Sequence, residues 1–155
     1  MKLSDTLLDH PSNSLLGKGY NMLMAFCFMF LWTLTIASIL HTLNPYPLPS
    51  LNNPVTEPKQ YTFFISCLVA PIWEEFTFRW APLNLARTFG KNTLLPIVII
   101  SSATFGLGHG EGQVSILYQG VSGLIFSILF LRNNYAILPN IFVHFLWNFC
   151  CLFIF

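Results

Sequence analysis

Glu74, Glu75 and Arg79 lie in the stretch WEEFTFR, directly after the apolar run YTFFISCLVAPI. Charge is expensive there. An Arg, Lys or Asp at the centre of a membrane helix costs about 2.5–3.5 kcal/mol on insertion scales. Glu75 and Arg79 are spaced i,i+4 with the acid on the N-terminal side, the better order for pairing on a helix. Glu74 points about 100° away around the same helix, so Arg79 serves it less well. A carboxylate without a full partner in a low dielectric favours taking up a proton, which suits a general base. The bland reading beside it is a buried ion pair that locks a helix bundle.

Two further motifs carry polar groups into apolar runs. In Phe105-Gly106-Leu107-Gly108-His109, the ring of Phe105 and the imidazole of His109 fall one helical turn apart. Ser102, Gly106 and Gly110 repeat at i,i+4 on that helix, a small-residue face that lets another helix approach closely. Taken alone, His109 reads as an interfacial residue at a helix end. In His144-Phe145-Leu146-Trp147-Asn148, His144 and Asn148 share a face, and alone they could be interhelical glue. Together, a base, two imidazoles and an amide donor on three helices are the parts for water-mediated acyl hydrolysis. Ser101, Ser102 and Cys67 show no local activation that would make one of them a nucleophile.

These motifs need helices in lipid to position them. The chain has 155 residues, of which 54% are hydrophobic and only 8% charged. Soluble domains average roughly 25% charged residues, so this surface is not built for water. Mean hydropathy is +0.62. A net charge of +1 says nothing about nucleic acid, and no Lys/Arg-rich run points to it, so no nucleic-acid partner is expected. Cys27, Cys67, Cys150 and Cys151 all sit in apolar runs without zinc-site spacing and read as packing residues. Trp73 and Trp147 flank the motifs and read as packing residues too.

Five runs are long enough to cross a bilayer as helices: Tyr20 to Leu43, Tyr61 to Trp80, Asn92 to His109, Gln113 to Leu131 and Tyr135 to Phe155. They are continuously apolar instead of alternating, which favours helices over a barrel. The expected fold class is all-α, an integral membrane helical bundle. LNPYPLPSLNNPVTEPK reads as an irregular loop, and Pro82 to Lys91 as a polar, basic connection. The other connections are short and imply antiparallel hairpins. Residues 1–60 read as a tail, an anchor helix and a loop, and residues 61–155 as the motif-bearing core. Pro71 removes a helix hydrogen bond just before the Glu pair and is expected to bend the helix there or open a pocket. Lys2, Lys18, Arg87, Lys91 and Arg132 fall in segments that share one side if the N-terminus is cytoplasmic, whereas the opposite loops hold only Lys59. The expected location is therefore the cell membrane, multi-pass, with the N-terminus inside.

The ordered set EEFTFR (Glu74 to Arg79), FGLGH (Phe105 to His109) and HFLWN (His144 to Asn148), with Ala70-Pro71-Ile72 before the Glu pair, resembles the CPBP intramembrane proteases. These are the CAAX-processing and bacteriocin-processing group, also called the Abi or Rce1-like family. The resemblance covers the chain from Tyr61 onward. It implies that Glu74 activates the attacking water with help from His109. It also implies that His144 and Asn148 hold the oxyanion, with Glu75, Arg79 and Phe105 as supporting residues. The implied reaction is hydrolysis of membrane-associated protein or peptide substrates with no obligatory metal. A zinc site from Glu74, His109 and His144 is the lesser alternative. Trp80 stands where many members have Gly, and the chain is short for the family. Both departures bear on substrate choice, and oligomeric state is left open. Outside this class, a non-catalytic immunity or assembly factor on the same scaffold is one competing function, and a proton pathway is the other.

Overall fold

In a computed structural model, the described residues are 14–43, 62–109 and 113–153, and among them every regular element is helical. The first helix, α1, is Leu15–Leu43. The second, α2, runs continuously over 62–89 and alternates in pitch. Phe64–Val69 and Phe76–Trp80 are wide π turns, while Ala70–Glu75 and Ala81–Phe89 are α-helical. After the break at Gly90 comes α3, Lys91–Leu107. The fourth, α4, covers 113–132 with a π stretch at Ile116–Gly120, and α5 is Ile137–Phe153.

Two boundaries differ from the sequence expectation. α2 does not stop at Trp80, and Pro82 to Lys91 is not a polar loop. Pro82 occupies the first turn of Ala81–Phe89, where a missing N–H is tolerated. The chain turns only at Gly90, whose φ of 100° is a conformation that favours glycine. His109 lies just past the end of α3. The LNPYPLPSLNNPVTEPK segment after its first residue, Leu43, together with Tyr61, Gly110, Glu111 and Phe155, lies outside the described residues.

Packing follows two pairings. α3 lies along α4 and along the last segment of α2, while α5 packs between the first half of α2, α1 and α4. One apolar cluster, including Leu83, Leu94, Val98 and Phe130, joins α2, α3 and α4. A second, with Ala25, Met29, Phe126 and Val143, joins α1, α4 and α5.

Polarity is inverted relative to a water-soluble fold. Glu75, Arg79, Asn133, Asn140 and Ser127 are fully buried, while Leu31, Ile99, Ile100, Phe142 and many other large apolar side chains face outward. That distribution suits a molecule whose outer solvent is lipid. α1 alone among the described helices is both long and apolar enough to cross a membrane, and α3 and α5, at 17 residues each, are shorter apolar helices. Trp73 does not pack the bundle as expected but is 67% exposed. Trp147 does pack, edge-on to Phe26 at 6.0 Å.

The turn from α4 to α5 gathers the basic end of the bundle. Asn134 and Tyr135 both have positive φ there. The Tyr135 ring lies 4.9 Å from the Arg87 guanidinium, and the pair lines a cleft with Lys91. Arg132 reaches Asn21, which donates to Asn133. The fold thus brings Arg87, Lys91 and Arg132 to one end, near the start of α1 that carries Lys18.

Candidate active site

α2 owes its shape to two prolines. The N–H of Ala70 bonds Ile65 O instead of Ser66 O, and residue 71, next in line, is proline and has no N–H. The Ser66 carbonyl is left without a helical donor, and the Asn148 amide from α5 donates to it at 2.8 Å. A related arrangement, with the acceptor four residues before the proline instead of five, follows one segment later. Ala81 N–H bonds Phe76 O, and Pro82 cannot serve the Phe78 carbonyl one turn before it. The Ser101 hydroxyl from α3 donates to that carbonyl. Each π turn thus presents a backbone acceptor to a neighbouring helix, and the short α segment between them carries Glu74 and Glu75.

The two glutamates have different surroundings. Glu75 is fully buried, and each of its oxygens has its own donor. Oε1 lies 2.9 Å from His144 Nδ1 and 3.3 Å from Arg79 Nη1. Oε2 accepts from Asn140 Nδ2 at 2.9 Å. The Glu74 side chain is 22% exposed, and its Oε2 lies 3.4 Å from His144 Nε2, too long for a good hydrogen bond. That oxygen is buried and has no hydrogen-bond partner. His144 thus stands between the two carboxylates, Nδ1 toward the tightly held one and Nε2 toward the loosely held one. Its ring stacks on Phe126 with centroids 4.7 Å apart and an interplanar angle of 23°.

Arg79 is also fully buried. Its guanidinium carbon is 4.1 Å from the Phe105 ring centroid and 5.3 Å from that of Phe126, so aromatic faces supplement the ion pair with Glu75. Gly123 makes room for it. A Cβ at that position would stand 3.0 Å from Arg79 Nη2 and 3.1 Å from Phe105 Cδ1. Next to it, α3 and α4 touch backbone to backbone, since a Cβ on Gly106 would meet the Gly120 nitrogen at 2.9 Å. Ser102 and Gly106, the described part of the small-residue face, therefore do receive a neighbouring helix.

Phe105 links the motifs. Its ring centroid is 4.7 Å from that of His109 and 6.0 Å from that of His144. His109 Nδ1 lies 2.8 Å from Phe105 O. A carbonyl only accepts, so Nδ1 carries the proton, leaving Nε2 free to accept one. His109 is exposed, and no ion pair joins it to Glu74 within 4.0 Å among the described residues. The structure thus brings Glu74, Glu75, Arg79, Phe105 and His144 together. It sets His109 beyond Phe105 and ties Asn148 to the Ser66 carbonyl.

The sequence pattern does not reveal Asn140. It precedes His144 by one turn and Asn148 by two, on the same stripe, yet Pro139-Asn140 has the composition of a turn. Ser101 and Gly123 are equally silent, because their roles depend on a carbonyl and a guanidinium from another helix.

No three His, Cys, Asp or Glu side chains among the described residues are grouped to hold a metal ion. His144 has both ring nitrogens toward carboxylates, and His109 stands apart, so this arrangement does not fit zinc on Glu74, His109 and His144.

The chain matches the family model described as type II CAAX prenyl endopeptidase Rce1-like over residues 57–150, which include every site residue above. It belongs to that family of membrane-embedded proteases. No curated protein matches the chain, and no solved structure does.

Proposed function

We propose that the protein is an intramembrane endopeptidase that hydrolyses peptide bonds of membrane-associated substrates with water activated by Glu74. The observation that carries this reading is the unequal treatment of the two glutamates. Glu75 has its oxygens filled by His144, Arg79 and Asn140, whereas Glu74 is partly open and lacks a hydrogen-bond donor on its buried oxygen.

In this scheme Glu74 takes a proton from water, and the hydroxide attacks the scissile carbonyl carbon. The carbonyl electron pair moves to oxygen. The resulting oxyanion is met by the Asn148 amide hydrogen not committed to Ser66, and by the Nε2–H of His144 when the ring carries a proton on both nitrogens, since Nδ1–H is held by Glu75. On collapse the C–N bond breaks, and Glu74 returns its proton to the leaving amine. His109, with Nε2 free, assists at the water side. Glu75 and Arg79 shape the site and balance its charge, and no metal takes part.

The helices cross the membrane several times, with the basic end and the N-terminus on the cytoplasmic side. The collection of Arg87, Lys91 and Arg132 at one end supports that orientation.

The test is cleavage of membrane peptides, prenylated and unprenylated, by purified protein, with Glu74→Ala, His109→Ala, His144→Ala and Asn148→Ala alongside. Loss of cleavage in Glu74→Ala is expected. Undiminished cleavage there would remove the general-base assignment. Loss on chelation with recovery on adding zinc would replace the metal-free scheme.

A further inference from the structure

We infer that Asn140 is a positioning residue that fixes the proton on His144 by holding Glu75 in place. The inference rests on the proposed peptidase reading for its kinetic consequence, but its geometry stands apart from it.

Asn140 is fully buried in the fourth position of α5. Its Nδ2 donates to Glu75 Oε2 at 2.9 Å and to the Phe126 carbonyl at 2.7 Å. Both partners only accept, so both amide hydrogens are used and the amide orientation is determined. The two bonds bridge α2, α4 and α5 at one point.

The effect passes to His144 through the carboxylate. With Oε2 held by Asn140 and Oε1 also beside Arg79 at 3.3 Å, Glu75 keeps one orientation, and Oε1 stays 2.9 Å from His144 Nδ1. An ionised carboxylate accepts only, so Nδ1 keeps its hydrogen and Nε2 becomes the nitrogen whose proton is free to change. Nε2 is the atom that faces Glu74, at 3.4 Å. Phe126 closes the arrangement: its carbonyl holds Asn140 while its ring stacks on His144. Losing the Asn140 donors leaves Oε2 unheld, with the Arg79 pair at 3.3 Å as the remaining restraint, so Glu75 can turn about it and the imidazole tautomer is less firmly specified.

The test uses full-length protein in detergent micelles with two readouts. The first is 15N NMR of labelled histidine, with the His144 signal assigned through His144→Gln. Wild type is expected to keep Nδ1 protonated in every populated form, with any change of proton confined to Nε2, and Asn140→Ala to show a mixture of tautomers. The second is steady-state cleavage. Asn140→Ala should lower kcat about 10–100-fold, the range seen when partners that orient an active imidazole are removed in metal sites, with KM within about twofold.

Asn140→Asp is nearly the same size and removes both donors until its own carboxyl is protonated. Its activity relative to wild type should therefore rise as pH falls, and the unfolding midpoint followed over the same pH range separates this from simple repulsion between the new carboxylate and Glu75. Asn140→Ser keeps one donor and covers the case in which the alanine variant fails to fold. A His144 spectrum identical in wild type, Asn140→Ala and Asn140→Asp would overturn the inference, as would a change in KM alone. A tautomer change in a protein that cleaves nothing would keep the positioning role and remove the peptidase reading.

Discussion

The contact between α2 and α5 carries a row of polar side chains beside the Phe63 contacts with Phe149 and Phe153, whereas the contact between α3 and α4 has, beside its apolar cluster, a point where side chains are missing. Across the first run Asn148 to Ser66 O, Asn140 to Glu75 and His144 to both glutamates. At the second, Gly106 meets Gly120 so closely that a methyl on Gly106 would stand 2.9 Å from the Gly120 nitrogen. In lipid, apolar side chains gain little by leaving their solvent, so helices associate through hydrogen bonds or close packing. This bundle uses one device on each side. The glycine contact also serves the polar one: Gly123 lets Phe105 and α3 close over Arg79, which then pairs with Glu75 away from lipid. The difference teaches where chemistry can reside. A glycine contact can only approach, whereas a polar contact can exchange a proton.

Variants can break each contact separately. The largest loss is expected for Glu75→Ala, which strands a fully buried Arg79. Removing one partner of a buried pair costs about 3–5 kcal/mol, read from the unfolding midpoint in detergent. Glu74→Ala should cost about 1 kcal/mol or less in the same assay, since no good hydrogen bond is lost. Next comes Gly106→Ala, whose methyl would meet backbone that cannot yield. Overpacking of that kind costs about 1–3 kcal/mol, and disulfide trapping between α3 and α4 should slow as the helices separate. If Gly106→Ala proves neutral, the close approach is not a source of stability.

Asn148→Ala and Ser101→Ala each leave a proline-orphaned carbonyl unserved. Each should cost about 1 kcal/mol, and hydrogen exchange should rise in α2 around Ser66 or Phe78. The smallest effect belongs to Gly19→Ala in α1, where the new methyl meets nothing within 4 Å. It should stabilise by about 0.5–1 kcal/mol through helix propensity. The contrast with Gly106→Ala separates packing glycines from incidental ones.

Much of this was legible in the chain. The i,i+4 spacing of Glu75 and Arg79 and the oblique direction of Glu74 follow from helical geometry, and the structure shows the pair and the odd carboxylate as that spacing implies. The small-residue repeat at Ser102 and Gly106 announced a close helix contact. Pro71 signalled a disturbed helix, but not that the helix would continue as π turns, because a proline removes a donor without saying which helix will satisfy the acceptor. Pro82 was harder still: beside polar residues it reads as a loop, yet at a first turn it is compatible with helix. Asn140 depends on a carboxylate 65 positions away in the chain, and no local pattern records such a pairing.

The most direct measurement is a paired one on Glu74→Gln and Glu75→Gln, scoring cleavage of a membrane peptide and unfolding midpoint for each. The division of labour at the site predicts that Glu74→Gln abolishes cleavage with the midpoint nearly unchanged, while Glu75→Gln lowers the midpoint strongly and cleavage with it. Retained cleavage in Glu74→Gln, or a large loss of stability there with none in Glu75→Gln, would contradict it.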